Sequence, residues 1–408
     1  MDTPANTLAG DINWEAEDLY ISIVSDPAGR DPYDGYRRLR EIAPVLRTST
    51  DALVLTRYED CDAALRHRSL GKSGRVTQST GHGTGDSVGR SMLFSNPPEH
   101  TRLRRLVSSA FTTRHTEQLR GSVTAQANAL VAGLRDNEDF ISAVALPLPV
   151  NVISDLLGVP HADRIGITPL VHDITGVLEP FVAGEAFTRA NSAQTTLAEY
   201  FSGLLAEKRR SPADDLLSRL AAGPGGDAED DALDDADTIA TAIVLFGAGY
   251  ETTVNLLGNG LRALLEAPDQ FALLRQRPEL LPSAVEEMLR YDSPIQINGR
   301  NVLEPTTLAG LEVEPGQLVV TMLGAANRDP AKFTDPDRFD ITRDDGPHLA
   351  FSSGIHFCLG AQLARLEADI LFTTLLATYS RIELAGDPVP RPGLTVHGLE
   401  KLPVAVTP

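Results

Sequence analysis

Close to its C-terminus the chain reads F-S-S-G-I-H-F-C-L-G-A-Q-L-A-R-L-E, from Phe351 to Glu367. Cys358 is one of only two cysteines in 408 residues. It follows a turn at Gly354 and precedes a helical run that starts near Leu359. A cysteine just ahead of a helix faces unpaired backbone N–H groups and the positive end of the helix dipole. That setting favours thiolate over thiol, and a thiolate can ligate a metal. Without such flanks, a free cysteine is usually a small, inert core hydrophobe.

A second constellation is Ala248-Gly249-Tyr250-Glu251-Thr252, inside a strongly apolar helical stretch. Gly247 and Gly249 each cost a buried helix about 1 kcal/mol relative to alanine. A buried carboxylate and hydroxyl without partners would add to that cost. Local loosening of the helix, with inserted water, would accommodate all of them. A hydroxyl, a carboxylate and water together can relay protons. The plainer alternative has Thr252 bonding to the carbonyl one turn back, with Glu251 at the surface. Glu287 and Arg290 lie three apart on one helical face, a spacing common to ordinary ion pairs. His100 and Arg104 lie four apart and also share a face. With Arg300 and His356 they are cations suited to binding carboxylates, or else parts of a solvated surface.

Taken together, these segments resemble the cytochrome P450 family over roughly residues 30–405. The resemblance implies a bound haem b with Cys358 as its axial ligand, in a loop formed by Phe351, Gly354, His356 and Gly360. An axial thiolate on haem iron favours O–O cleavage. It further implies that Ala248 and Gly249 lie over the distal face, that Thr252 holds dioxygen and its waters, and that Glu251 feeds protons. His100, Arg104, Arg300 and His356 are implied partners of the haem propionates. Glu287 and Arg290, joined by Arg338 of Pro336-Asp337-Arg338-Phe339, are implied to be structural, bracing the loop below the haem. Implied substrate-lining residues are Met92, Leu93, Phe94, Val244, Leu245, Ala248, Pro294, Ile295 and Ile297. Three positions depart from the family pattern: Ser352 and Asn96 stand where Gly and Asp are usual, and Thr113 where Pro is common.

The elements that must position these groups are mostly helical. Helical periodicity dominates about 97–292 and returns over about 359–380. Asp234 to Ala267 reads as one long helix, acid-capped, ending before Pro268 and apolar on nearly every face. Punctuated β-like runs fall at about 42–57, 294–325 and 381–408. The expected class is mainly α with a small β region. Because motifs near 100, 250, 290 and 358 must converge on one ligand, residues 1–408 are expected to form a single haem-enclosing domain. The stretch Gly71 to Gly89 carries six glycines and reads as a mobile loop, suited to a lid. Asp227 to Asp237 holds seven acids and reads as a solvated loop before the long helix. Cys61 sits in a helical stretch and is expected to pack.

Composition narrows the function classes. Hydrophobic residues make up 42% and charged residues 23%, ordinary for a soluble protein. A net charge of −20 argues against nucleic acid or an anionic membrane as the main partner. Two distant cysteines suggest no disulfide framework and fit a reducing cytoplasm. No secretory signal is visible, and Glu251 makes the apolar stretch a poor membrane span. Basic clusters at His100–Arg105 and Leu65–Arg68 could dock an acidic electron carrier or be ordinary surface charge.

The expected activity is a monooxygenase that inserts one atom of O2 into a C–H bond of a small organic, secondary-metabolite substrate. Electrons would come from NAD(P)H through a ferredoxin reductase and ferredoxin, since no flavin or iron–sulfur signature is present. Epoxidation or oxidative coupling, and a carrier-tethered substrate, remain open alternatives. A haem sensor or gas carrier is the rival from another class, against which the Glu251–Thr252 pair argues. A non-haem binding module would be colourless.

Overall fold

A 32-residue helix, Asp235–Glu266, is buried along most of its length. Asp234 caps it by accepting the Asp237 N–H at 2.6 Å. It stops at Ala267, and Pro268 opens the next helix at a position where its missing N–H costs nothing. Its length and hydropathy would suit a membrane span, yet most of it is enclosed by protein. The computed structural model describes residues 12–26, 31–72, 86–180, 184–223 and 233–408. Most of the Gly71–Gly89 segment lies outside the described residues, as do residues 227–232 of the acidic run.

The helix remains α-helical without interruption across Gly247 and Gly249, so the expected loosening is corrected. The glycines serve packing instead. A Cβ at Gly249 would fall 2.6 Å from Ile153, and one at Gly247 would fall 3.0 Å from Val171. They let helices Pro147–Leu157 and Arg164–Thr175 approach closely.

Helices Glu99–Ser108, Gly184–Arg210, Leu281–Tyr291 and Ala361–Thr378 fill out the helical body. One apolar core runs through it from Val88 to Val406. Helices Trp14–Val24 and Tyr33–Ile42 precede that body and pack on the main sheet through a second core. Cys61, fully buried in helix Tyr58–Arg66, packs in a third.

The main sheet has five strands, ordered Val45–Arg47, Leu53–Leu55, Leu318–Met322, Ile297–Val302 and Leu70–Gly71. Leu53–Leu55 runs parallel to Leu318–Met322, and the other pairs are antiparallel. A three-stranded sheet joins Glu138–Asp139, Pro403–Thr407 and Arg381–Leu384. The strands fall largely where turn residues punctuate the sequence. Leu70–Gly71 and Glu138–Asp139 were not legible, because two residues carry no periodicity.

Candidate active site

The Cys358 loop is closed by its own backbone: the Cys358 N–H donates to Phe351 O at 2.9 Å. Gly354 has φ +71°, and a Cβ there would meet Leu65 O at 2.6 Å. The loop can therefore rest on the end of helix Tyr58–Arg66 only with glycine at this point. Gly360 caps helix Ala361–Thr378 just beyond the cysteine. Ser352 is also left-handed, at φ +61°, where the family pattern has glycine. That conformation costs an L side chain roughly 1–2 kcal/mol, and the Ser352 Oγ is buried without a partner among the described residues. Ser352→Gly should therefore stabilise the fold by about 0.5–1 kcal/mol. The check is a higher denaturant midpoint at unchanged slope; an unmoved midpoint would mean the turn is unstrained.

Burial pushes the Cys358 thiol above its ordinary range, against the Gly360 N–H and the charges of Arg104 and Arg365. Burial and the charges around the helix start thus act on the thiol in opposite directions. Desolvation in apolar surroundings outweighs one N–H and two guanidiniums. A metal cation bound to the sulfur would reverse the balance.

Four basic groups gather beside this loop. The rings of His100 and His356 lie 4.4 Å apart. Arg104 donates to Phe357 O at 2.7 Å. Arg300, 1% exposed, projects from strand Ile297–Val302. Among the described residues, His100 Nε2, Arg300 Nη2 and His356 Nε2 are buried with no hydrogen-bond partner. Burial pushes His356 down to about 2, reinforced by Arg300 and His100. Burial likewise takes Arg300 down to about 10. Orphaned donors that repel one another are the mark of a site built for anions. Two propionate carboxylates fit it, and Cys358 fits the iron.

On the long helix, Ala248 is exposed while Val244 and Thr252 are half-buried, among neighbours that are mostly sealed. These positions, four apart, form one open stripe. Thr252 Oγ1 donates to Ala248 O at 3.0 Å, so the back-bonded conformation is the observed one. Gly249, next to the stripe, faces Ile153 instead. Glu251 points elsewhere, since successive helical residues project about 100° apart. It is 8% exposed and pairs with Arg391 at 2.7 Å and with His172 at 3.6 Å. Burial would raise the Glu251 carboxyl, but the His172 hydrogen bond and the Arg391 charge hold it below its ordinary range.

Arg391 was not singled out from sequence. It also contacts His172 Nδ1, donates to Thr175 Oγ1 and donates to Val396 O. A few residues on, Glu179 accepts the N–H groups of Leu394, Thr395 and Val396. The end of helix Arg164–Thr175 is thereby stitched to the segment that carries Arg391.

Glu287 and Arg290 form a fully buried two-pronged pair at 2.7 and 2.8 Å. Their expected third member is corrected. The Arg338 side chain is exposed and contributes only its carbonyl, to Arg290 and Arg343. The side chain on Glu287 is Arg343, at 3.1 Å. Arg290 also donates to Asn327 O, and Asn327 Oδ1 accepts the Leu349 N–H just before the cysteine loop. A neighbouring pair, also unread from sequence, ties Glu286 to Arg365 at 2.6 Å and to His348 at 3.2 Å. Burial would raise Glu286, but these partners bring it down to about 2. Arg365 stacks on Phe351, 4.5 Å from the ring centroid.

The residues suggested as substrate lining do not share one surface. Met92, Phe94 and Leu245 are buried in the main core, whereas Leu93 is exposed. Pro294 is buried, and Ile295 bridges to Val396. Ile297 packs with Tyr36 and Leu39 under the sheet. Asn96 and Thr113, the remaining departures, precede and follow the helix that carries His100 and Arg104.

A cysteine loop beside an anion cradle is the arrangement a haem-thiolate enzyme requires. Residues 171–397 match the cytochrome P450 family model. The chain is 41% identical over 401 residues to cytochrome P450 107B1 of Saccharopolyspora erythraea, spanning 93% of this chain and 96% of that one. It is 38% identical over 398 residues to the cytochrome P450 monooxygenase PikC of Streptomyces venezuelae, spanning 95% and 94% respectively. The solved structure of P450BioI in complex with a hexadec-9Z-enoic acid-ligated acyl carrier protein matches with a TM-score of 0.87. Its identity is 35%, and the match covers 93% of this chain and 100% of that chain. The chain belongs to the cytochrome P450 family. It is a monooxygenase of the bacterial kind, with haem iron as cofactor and O2 as co-substrate.

Proposed function

We propose that this enzyme inserts one oxygen atom into a C–H bond of a small secondary metabolite, as a single haem-enclosing domain in the cytoplasm. The observation that carries the reading is the Val244–Ala248–Thr252 stripe, with an ionised carboxylate on the adjoining residue. When bound, the haem supplies the oxidation chemistry; the protein supplies position, protons and exclusion of water. Cys358 would hold the iron, and His100, Arg104, Arg300 and His356 the propionates. The Thr252 hydroxyl, already donating to Ala248 O, would keep its lone pairs free to order a water. Glu251 would deliver protons at its carboxylate, and Arg391 and His172 would set when it does so. Val244, on the open stripe, would border the substrate space.

Electrons would arrive from NAD(P)H through a reductase and ferredoxin. Supporting this, both basic clusters border the cysteine loop: Arg104 binds Phe357 O, and Leu65 O touches Gly354. Ile355 and Phe357, 50% and 43% exposed, stand among them. Similarity to P450BioI, crystallised with a ligated acyl carrier protein, favours a carrier-tethered substrate as the second reading.

The test is turnover with ferredoxin, reductase, NADPH and 18O2 on a panel of free and carrier-tethered compounds. A product carrying one labelled oxygen as an alcohol is expected. A labelled epoxide or an unlabelled coupled product would replace hydroxylation by the rival chemistries, and turnover of tethered compounds alone would select the second reading. Thr252→Ala should divert much of the consumed NADPH to hydrogen peroxide. Unchanged coupling would remove Thr252 from the relay.

A further inference from the structure

Lys72, half-buried beside Arg300, has had no role so far. Strand Leu70–Gly71 pairs antiparallel with Ile297–Val302, Leu70 opposite Val302 and Gly71 opposite Asn301. The next residue along, Lys72, falls beside Arg300. Its Nζ donates to Asn298 Oδ1 and to Gly299 O, both at 2.9 Å. Arg300 Nη1 donates to the same Asn298 oxygen. Two cations therefore share one neutral acceptor, and among the described residues neither forms an ion pair with a carboxylate. An ammonium has three donors, and two are used. Burial, with Arg300 adding to it, pulls Lys72 well below the ordinary lysine range.

The placement is built rather than incidental. Asn96 clamps the Lys72 backbone from both sides, accepting its N–H at 2.8 Å and donating to its carbonyl at 2.6 Å. An aspartate, usual at this position in the family pattern, could accept but could not donate. A Cβ on Gly71 would sit 2.4 Å from the Asn96 oxygen, so glycine is needed for the clamp to close.

We infer that Lys72 is a fifth basic group of the cradle, binding a haem carboxylate alongside Arg300, with Asn96 as its positioning residue. The assignment rests on the haem reading above. The competing role is a brace between strands, which would not reach the haem's electronics. The experiment uses the purified holoenzyme with Lys72→Met and Lys72→Arg. Two quantities are read: the rate of haem transfer to excess apomyoglobin, and the ferric/ferrous midpoint potential. Lys72→Met should lose haem several-fold faster and shift the midpoint to more negative values, because a nearby positive charge favours the added electron of the ferrous state and its removal favours the ferric. Lys72→Arg should stay close to wild type in both. Asn96→Asp should move both in the direction of Lys72→Met, by less. If Lys72→Met does not accumulate, Lys72→Gln carries the same expectation. Wild-type potential and haem loss in the neutral variants, even with lower thermal stability, would overturn the assignment and leave a strand brace. A wild-type protein without a thiolate-haem spectrum would instead overturn the haem reading, and this assignment with it.

Discussion

Cys358→Ser is expected to yield a folded protein whose reduced, carbon monoxide-treated spectrum lacks the far red-shifted Soret band of thiolate-ligated haem. Monooxygenation should fall below detection. The side chain changes by one atom, and the loop's Cys358 N–H bond to Phe351 O does not depend on it. What is lost is the only anionic ligand the loop can offer, and with it the electron density that favours O–O cleavage. The cysteine's surroundings sharpen the expectation. Burial there disfavours any charge that is not paired with a cation, so a serine hydroxyl has little to make it ionise. Circular dichroism separates this outcome from simple unfolding. Retained turnover in the serine variant would sink the ligand assignment.

Loss of Glu287 should be nearly as severe, through folding rather than chemistry. Removing one member of a buried ion pair leaves an uncompensated charge and typically costs about 3–5 kcal/mol, a large part of a domain's stability. Here the loss would leave Arg290 without its carboxylate, take one of the two carboxylates from Arg343, and free the Asp340 N–H that Glu287 also accepts. Glu287→Ala should accumulate poorly and without haem. Two milder variants keep the expectation measurable. Arg343→Ala should be strongly destabilised in urea, while Arg338→Ala should lie within about 0.5 kcal/mol of wild type. Equal losses at the two positions would contradict the geometry.

The contrast between those two arginines shows where sequence reading stopped. Arg338 stands at the expected spacing, but spacing cannot say which way a side chain turns. Arg343 occupies the pair because the loop folds back over it, and the loop's path is a tertiary fact. The same distinction runs through the site. The capped ends of the long helix, the Gly354 turn and the Glu287–Arg290 spacing are local signals, and all were legible. Arg391 meets Glu251 across most of the C-terminal third of the chain, and Lys72 meets Asn298 across more than half of it. Nothing in either local pattern marks the partner. The reading of Gly247 and Gly249 failed for a related reason. Glycine in a helix reports that something comes close, and sequence alone did not distinguish water from the neighbouring side chains Ile153 and Val171.

The stitching of Glu179 to Leu394, Thr395 and Val396 bears on more than stability. Arg391 belongs to the same segment, and its guanidinium is divided between Thr175 and His172 on one side and Glu251 on the other. Any motion that draws the end of helix Arg164–Thr175 outward strips partners from that guanidinium and changes the field at Glu251. On the proposed reading, access at this corner and proton supply would share one charge. A compound that enters by displacing this corner would alter the acidity of the enzyme's interior before it touches the reacting centre.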